Sequence, residues 1–511
     1  KGSTKKYERF SEADLVYNDK TYKIKLRVKG DRVLHWYNKD QTSYKIDIRG
    51  EERFQGMEEF SVQKPITRNY TYEFIFHKFL KFNNLISLKY SFVNFYMNDS
   101  DQGIYAVEEG FAKELIERNK RRNGPIFGLE EKKGTTYPFV EYDLYSKNFW
   151  INNHPELISK AYSKINNLKN GDVNVNDIFD LNKWAKFFAI IDLTNTLHGA
   201  ISKSVKLFYN PVNGKFEPIG FDGHYGLGNI NNFIILDFLD SDNTNCSYIC
   251  EEREWFLKFL KFENGKLNNE FIDLYLDALK RISTDDYLQK FKLEYQDDID
   301  FYNDQLYSDI SKTDRGYYKG IAPFIFNKNY LSERSNYIRE RISEIFEKKN
   351  LKTSIKNNII HFDQVNKFFL KKISLKCEKN KEQNFYIYKS IELKFKKDCK
   401  YLIGSDELSI INDITMDKSK VDMYSDLKDI TSFNQVKFIN GKYILDENLD
   451  LNLNTYLPKN KSLTISSGTK ISFSKDVSLT SEGSINFNGT KENPIKIFSD
   501  NKLGSIILLN I

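Results

Sequence analysis

Alternating apolar and polar positions open the chain and predict a β-rich start. Residues 22 to 28 alternate apolar with basic side chains, the period of a half-buried strand, and end in the turn Lys29-Gly30-Asp31. Residues 44 to 48 repeat this alternation and predict the partner strand. Residues 90 to 97 and 104 to 107 predict a later hairpin.

Helical periodicity interrupts these strands and then dominates. Residues 71 to 82 place five apolar side chains on one helical face, opposite Glu73 and Lys81. A charged helix is predicted over residues 111 to 122, and Asp180 is the expected N-cap of a helix with a buried aromatic stripe. Amphipathic helices are predicted further on, over residues 267–282, 285–306 and 332–348. Together these elements predict an α+β domain over residues 1–350.

A second hairpin, residues 205 to 209 and 215 to 221, delivers Asp222 directly into Gly223. A carboxylate fixed at a strand end is suited to bind a metal, and the glycine lets backbone approach phosphate. An ordinary turn is the alternative.

The composition shifts after residue 350. Residues 351–432 contain short strand-like runs and form a β-rich connecting region, while residues 433–511 repeat three-residue apolar runs separated by glycine turns. Stacked short strands of this kind predict the start of a right-handed parallel β-helix. Because the sequence stops inside an apolar run and starts with Lys1, we expect a truncated piece of a longer protein.

Charge, cysteine spacing and hydropathy argue against several classes of protein. The 77 basic and 71 acidic residues give a net charge of +6 that is spread along the chain, which disfavours nucleic-acid partners. Cys246 and Cys250 lack a second pair at zinc spacing, so unpaired thiols or one local disulfide are expected. No apolar run reaches the length of a membrane span.

Six ordered blocks make the first 350 residues resemble the CotH kinase-like family, in the variant found in bacterial surface proteins. The blocks are LRVKGD (26–31), SYKIDI (43–48), FSVQKPITRNYTYE (60–73), GIYAVEEGF (103–111), NKRRNGPI (119–126) and LFYNPVNGKFEPIGFDG (207–223). The resemblance implies an atypical protein-kinase-like fold. It also implies transfer of phosphate from ATP, with Mg²⁺, to Ser or Thr of secreted or surface proteins, and hence a location outside the cytoplasm.

The resemblance assigns the nucleotide-binding roles position by position. Lys29 and Gly30 match the strand-end turn over the phosphates, with a plain surface turn as the alternative. Lys45 matches the basic residue that meets the phosphates, or is an outward-facing strand lysine. Arg68 lies in the block that opens the helix, and Glu73 in that block either orients Lys45 or is an exposed helix residue.

The acidic and catalytic positions follow from the same resemblance. Glu109 matches the acidic residue of the GIYAVEE block, with Glu108 as its alternative, and Asp222 matches the metal-binding, catalytic Asp. His198 is kept in the surface-protein variant and is a candidate base or a helix-end histidine. Ser204 and His224 stand where stronger metal ligands are found in many active members.

These departures keep two other functions open. A catalytically degenerate pseudokinase would serve as a structural or adhesion component of a bacterial surface protein. A carbohydrate-active β-helix enzyme is the weaker alternative, because Asp476 and Glu482 are better explained as solvated turn residues than as an acid pair.

Overall fold

The computed structural model describes most of the 511 residues and divides the chain into two compact units, Lys1–Asn412 and Asp413–Ile511. Between residues 351 and 407 it describes backbone pairing and the side chain of Tyr386. The described residues are 9–30, 35, 42–130, 141–223, 233–240, 252–262, 264–310, 315–346, 351–356, 359–364, 371–377, 380–387, 391–394, 399–403, 406–407, 428–474, 477–481, 483–499 and 505–508.

The first unit begins with a six-stranded antiparallel sheet in the order β1-β2-β3-β4-β6-β5. Its strands are β1 Ser11–Tyr17, β2 Lys20–Val28, β3 Tyr44–Ile48, β4 Glu59–Gln63, β5 Tyr90–Met97 and β6 Ser100–Glu109. The predicted pairing of the strands around residues 22–28 and 44–48 is confirmed, with Arg27 opposite Lys45. β1 carries no clear alternation in the sequence and is held by pairing with β2, Ser11 opposite Leu26.

Helix α1 (Tyr72–Phe82) follows the 3-10 helix Pro65–Arg68 and is buried on almost every side. It packs against α6 (Leu181–Thr194) and α9 (Asp285–Ile310). Phe79 stacks on Phe291 of α9 with ring centroids 3.6 Å apart. Glu73 is buried because neighbours cover its side of α1, whereas Lys81 is exposed, so the expectation of a solvent-exposed polar face is wrong for Glu73 and confirmed for Lys81.

A second antiparallel sheet, in the order β10-β9-β7-β8, lies within the same unit. Its strands are β7 Ile126–Glu130, β8 Glu141–Leu144, β9 Lys206–Asn210 and β10 Lys215–Ile219. β9 and β10 form the predicted hairpin, with Asn210 opposite Lys215. The helix predicted over 111–122 is confined to α2 (Lys113–Arg118).

The helical part is centred on α6, whose Trp184, Phe187 and Phe188 are fully buried. Asp180 caps α6 as predicted, accepting a hydrogen bond from the backbone of Lys183 at 3.3 Å. The predicted amphipathic helices correspond to α8 Asn269–Ile282, α9 and α12 Tyr330–Ile345. The remaining helices are α3 Lys147–Asn153, α4 Pro155–Asn170, α5 Val175–Ile178, α7 Arg253–Leu260, α10 Arg315–Ile321 and α11 Pro323–Phe326. Among the helices of the described residues, none combines the length and apolarity needed to cross a bilayer.

Two small antiparallel sheets complete the first unit, in the orders β11-β12-β15 and β14-β13-β16-β17. Tyr386 anchors β14 to α8, donating from its hydroxyl to Asp273 at 2.6 Å. The strands are β11 Leu351–Lys356, β12 Ile359–Gln364, β13 Lys371–Cys377, β14 Asn380–Ile387, β15 Ile391–Lys394, β16 Cys399–Ile403 and β17 Asp406–Glu407.

The second unit consists of short strands in three sheets, and all pairs except β19–β20 are parallel. Successive strands visit the three sheets in turn, so that Tyr443 pairs with Leu463 and Leu463 with Ile485. Apolar residues such as Leu445, Ile465 and Ile471 form the unit's own buried core. The strands are β18 Lys428–Asp429, β19 Val436–Ile439, β20 Lys442–Leu445, β21 Leu449–Leu451, β22 Thr455–Leu457, β23 Ser462–Ser466, β24 Lys470–Phe473, β25 Ser478–Ser481, β26 Ser484–Asn488, β27 Lys496–Ser499 and β28 Ser505–Leu508.

Candidate functional site

Asp222 lies just beyond β10 in the left-handed backbone region, with φ of 61°. Asp tolerates this conformation better than most side chains because its short polar group bonds locally. A Cβ on Gly223 would lie 2.2 Å from the ring of Phe76 on α1, and one on Gly199 would lie 2.8 Å from the Cα of Gly223. Glycine at position 223 is therefore required for close packing of this segment on α1, whether or not a ligand binds nearby.

Arg68 reaches Asp222 from the 3-10 helix that precedes α1. Its Nη1 lies 2.8 Å from Oδ1 of Asp222, and its Nε lies 3.4 Å from Oε1 of Glu108. The guanidinium also lies 5.3 Å from the ring centroid of Phe221. Arg68 is 6% exposed, so it connects two carboxylates inside the protein.

Lys29, at the end of β2, forms an ion pair with Glu108 of β6. Gln63 of β4 donates a further hydrogen bond to Oε1 of Glu108 at 3.2 Å. Lys29, Arg68, Glu108 and Asp222 thus form one connected group, named here the charge cluster. Four separate segments of the first unit build it.

Burial and opposite charges set the protonation of the charge cluster. Burial opposes the charge on Arg68, but Asp222, Glu108 and Glu73 outweigh it and raise the pKa of Arg68. Burial alone would raise the pKa of Glu108, yet Lys29 and Arg68 bring that pKa below its usual value. Burial lowers the pKa of Lys29 in spite of Glu108. Glu108 is therefore ionised at neutral pH, and Arg68 is fixed as a cation.

His198 lies beneath Asp222. Its Nδ1 is 3.0 Å from the backbone oxygen of Asp222, 3.5 Å from Oδ2 and 3.4 Å from the hydroxyl of Ser204. Because a carbonyl oxygen only accepts, Nδ1 carries the proton and donates to it. That nitrogen is thus not available as a base, and His198 holds the Asp222 backbone in place, with Ser204 beside it.

His35 faces the charge cluster from the other side. Its Nδ1 lies 3.0 Å from the Ser43 hydroxyl, and a Cβ on Gly30 would lie 2.2 Å from its ring. Burial, then Arg68 and Lys29, lower the pKa of His35 to about 4. His35 is therefore neutral at pH 7.

Three residues expected to bind the nucleotide form their contacts outside the charge cluster. Lys45 pairs with Glu59 at 2.7 Å, and buried Glu73 accepts a hydrogen bond from Nε2 of His77 at 3.0 Å. The expectation that Glu73 orients Lys45 is wrong, and so is the alternative that Glu73 is exposed. Glu109 pairs with Arg118 and accepts from the backbone of Lys89 at 2.7 Å.

The choice between Glu108 and Glu109 depends on strand alternation. Neighbouring residues on β6 point to opposite sides, so only one of the two can face Arg68. That residue is Glu108, the alternative to the expected Glu109. Lys29, Gly30 and Asp222 lie at or beside the charge cluster, whereas His224 lies outside the described residues.

Arg68 was missed as a site residue although it stands in a family block. Its partners lie 40 and 154 positions further along the chain, so local periodicity carries no sign of them. The sequence indicated a possible role for Arg68 only by placing this basic residue shortly before the apolar helix α1.

The charge cluster offers a hard cation such as Mg²⁺ two carboxylate ligands, which is the small number of protein ligands that Mg²⁺ usually takes. Magnesium in nucleotide enzymes usually takes one or two protein carboxylates, with phosphate and water completing the shell. Asp222 and Glu108 supply two, and Arg68 already contacts both. No group of three or more potential metal-ligating residues occurs in the described part of the chain.

Comparison with known families matches residues 26–344 to the family model described as CotH kinase protein. The matched segment is more than half of the chain and contains every member of the charge cluster. No curated protein matches the chain significantly.

Proposed function

Because the chain belongs to the CotH kinase family, we propose that its first unit is an atypical protein kinase. It would transfer phosphate from ATP, with Mg²⁺, to Ser or Thr hydroxyls of secreted or surface proteins. The observation that carries the proposal is the buried charge cluster, which combines two cations with two carboxylates inside the matched segment.

The cations are suited to the phosphates. Phosphoryl transfer depends on positioning and on stabilising charge on the phosphate oxygens, and buried cations do so more strongly than exposed ones. Lys29 and Arg68 are mostly buried and fixed by ion pairs, so they need little reorganisation. Lys45 is less suited because it is less buried and pairs with Glu59 outside the charge cluster.

The carboxylates are suited to the metal. Asp222 and Glu108 would hold Mg²⁺, which would supply charge neutralisation to the nucleotide phosphates when bound. His198 keeps Asp222 in its left-handed conformation through the backbone oxygen. His198 is thus proposed as a positioning residue.

The direct test is transfer of radiolabelled γ-phosphate to casein and to the chain itself. We expect Mg²⁺-dependent labelling by the wild type and at least a hundredfold loss in Asp222→Asn. Lys45→Gln serves as the matched control and should retain most of the labelling, since Lys45 lies outside the charge cluster. Labelling that survives in Asp222→Asn would contradict the proposal.

A pseudokinase is the second candidate, and one observation favours it. Both carboxylates of the charge cluster already form ion pairs with Lys29 or Arg68, so that their charges are compensated without a metal. In this case ATP would bind with the same affinity in EDTA as in Mg²⁺, and no labelling would be detected.

We also propose that the second unit is the start of a right-handed parallel β-helix. Its support is the rotation of successive strands through three sheets whose neighbours are mainly parallel. A β-helix beside a kinase domain fits a protein of the bacterial cell surface. Exposure of the intact protein to protease added outside cells, compared with lysed cells, tests this location.

A further inference from the structure

A pocket of about 510 Å³ lies at the C-terminal half of α1, away from the charge cluster. Its walls are α1, the segment of residues 84–91 and the end of α2. Phe74, Leu85 and Leu88 line its apolar part. We call it the α1–α2 pocket.

Five cations line the α1–α2 pocket, and among the described lining residues there is no carboxylate. The cations are Lys78, Lys81, Lys89, Arg118 and Lys120. Two carboxylates outside the lining offset part of this charge: Asp298 pairs with Lys78 at 2.7 Å, and Glu109 pairs with Arg118. Positive charge therefore remains in excess.

Lys81 and Lys120 account for most of this excess. Both are exposed, and neither forms an ion pair with a carboxylate in the described part of the chain. Lys89 is half-buried beside them, and its pKa is lowered by burial and by Arg118, although Glu109 raises it. Like charges that line one pocket favour a bound anion.

Hydrogen bonds connect the end of α2 to the segment of residues 84–91 on one wall of the pocket. Asn119 accepts from the backbone of Ser87 at 3.1 Å and donates to the carbonyl of Leu115 at 2.7 Å. Arg118 donates to the Ser87 carbonyl at 2.8 Å. Arg118 and Asn119 are thus held in place, which reduces the cost of ordering this part of the pocket around a ligand.

His77 and Tyr90 form the wall that separates the pocket from the charge cluster. His77 accepts from the backbone of Leu88 through Nδ1 at 3.2 Å, so its proton lies on Nε2, which donates to Glu73. Both nitrogens are used, and His77 adds no charge to the pocket. A ligand here would be distinct from one bound at Lys29 and Arg68.

We propose that the α1–α2 pocket binds a phosphate group, either as free phosphate or on a phosphorylated side chain. Lysine and arginine are the usual donors to such a dianion, and the pocket has room for more than the phosphate alone. The proposal is independent of the kinase activity proposed above.

The test is calorimetric titration of the full chain with inorganic phosphate and with a capped Gly-phosphoSer-Gly peptide. Lys81→Gln/Lys120→Gln should weaken binding at least about tenfold, since each lost cation removes a charge-assisted contact. Lys147→Gln/Lys160→Gln, which makes the same charge change on exposed α3 and α4 positions, should bind as the wild type does. Tighter binding of the peptide than of phosphate indicates a side-chain source, and equal binding indicates the free anion.

Three results would overturn the proposal. One is no saturable binding of either probe, and another is equal weakening in the two double variants. The third is binding that Lys29→Gln abolishes while Lys81→Gln/Lys120→Gln leaves it intact, because the anion would then be at the charge cluster. Thermal unfolding of each variant establishes that it is folded.

Discussion

At the scale of single residues, Asp222 combines a proposed metal-binding role with an uncommon backbone conformation. Its φ of 61° is tolerated by Asp and Asn and disfavoured for Ala. Asn also keeps an oxygen that can accept from Arg68, whereas Ala removes it. Loss of the charge and loss of stability can therefore be separated by comparing the two substitutions.

We expect Asp222→Ala to unfold more readily than Asp222→Asn, by about 1–2 kcal/mol. Urea denaturation of both variants under the same conditions measures the difference. Equal stability would show that neither the left-handed conformation nor the Arg68 contact matters there.

Gly223 is required by its neighbour Phe76. A methyl group at this position would overlap the Phe76 ring, so Gly223→Ala should destabilise the protein by about 1–3 kcal/mol. Gly320→Ala is the matched control, because open space surrounds Gly320 in helix α10, and it should be neutral or slightly stabilising. Chemical denaturation measures both, and an unchanged Gly223→Ala would contradict the packing explanation.

His35 should make stability depend on pH. Burial, with Arg68 and Lys29, lowers its pKa to about 4 from an ordinary 6.5. Between these values the unfolded chain binds a proton that the folded chain does not, so stability should fall as the pH is lowered from 6.5 to 4. The loss is up to about 3 kcal/mol.

Denaturant unfolding as a function of pH tests this, with two variants. His35→Asn should remove that part of the pH dependence, and His154→Asn, at an exposed position, should keep it. If His35→Asn retains the full pH dependence, His35 is not its origin.

At the scale of elements, the β9–β10 hairpin that precedes Asp222 is connected to neighbouring segments by buried ion pairs. Glu217 of β10 is fully buried and contacts Arg121 at 3.2 Å and Lys183 at 2.5 Å. It also accepts from Asn210 of β9 at 2.7 Å. The basic NKRRNGPI block therefore has a structural role, since its Arg121 connects the loop after α2 to the hairpin.

Glu217→Gln leaves two cations without their buried counter-charge. The expected destabilisation is about 3 kcal/mol, against less than about 0.5 kcal/mol for Glu254→Gln at an exposed position. Equilibrium unfolding in urea measures both. A cost for Glu217→Gln as small as that of the control would show that the ion pair does not hold the hairpin.

Elements with strong periodicity were predictable from the sequence, and side-chain partners were not. The β9–β10 hairpin and the cap at Asp180 follow from local patterns. Glu73 was misplaced because periodicity identifies one apolar face of α1 but does not reveal that other elements also cover Glu73 on the polar face. Glu109 was preferred to Glu108 because the sequence does not show which strand face meets Arg68.

At the scale of the whole molecule, the two compact units have separate cores and different architectures. The first contains the matched segment, residues 26–344, and the charge cluster, while the second is built from mainly parallel short strands. The change in composition after residue 350 indicated a change of architecture. The strands between 351 and 407 nevertheless belong to the first unit by contact, and Tyr386 on α8 is one reason.

The proposed kinase activity requires the charge cluster to bind the phosphates of ATP together with a metal. Calorimetric titration of the full chain with ATP, in Mg²⁺ and in EDTA, tests this requirement when wild type and Asp222→Asn are compared. We expect saturable binding by the wild type that Mg²⁺ strengthens, and at least about tenfold weaker binding by Asp222→Asn in Mg²⁺. Wild-type and variant affinities that are equal in Mg²⁺, or the absence of binding by either, would contradict it.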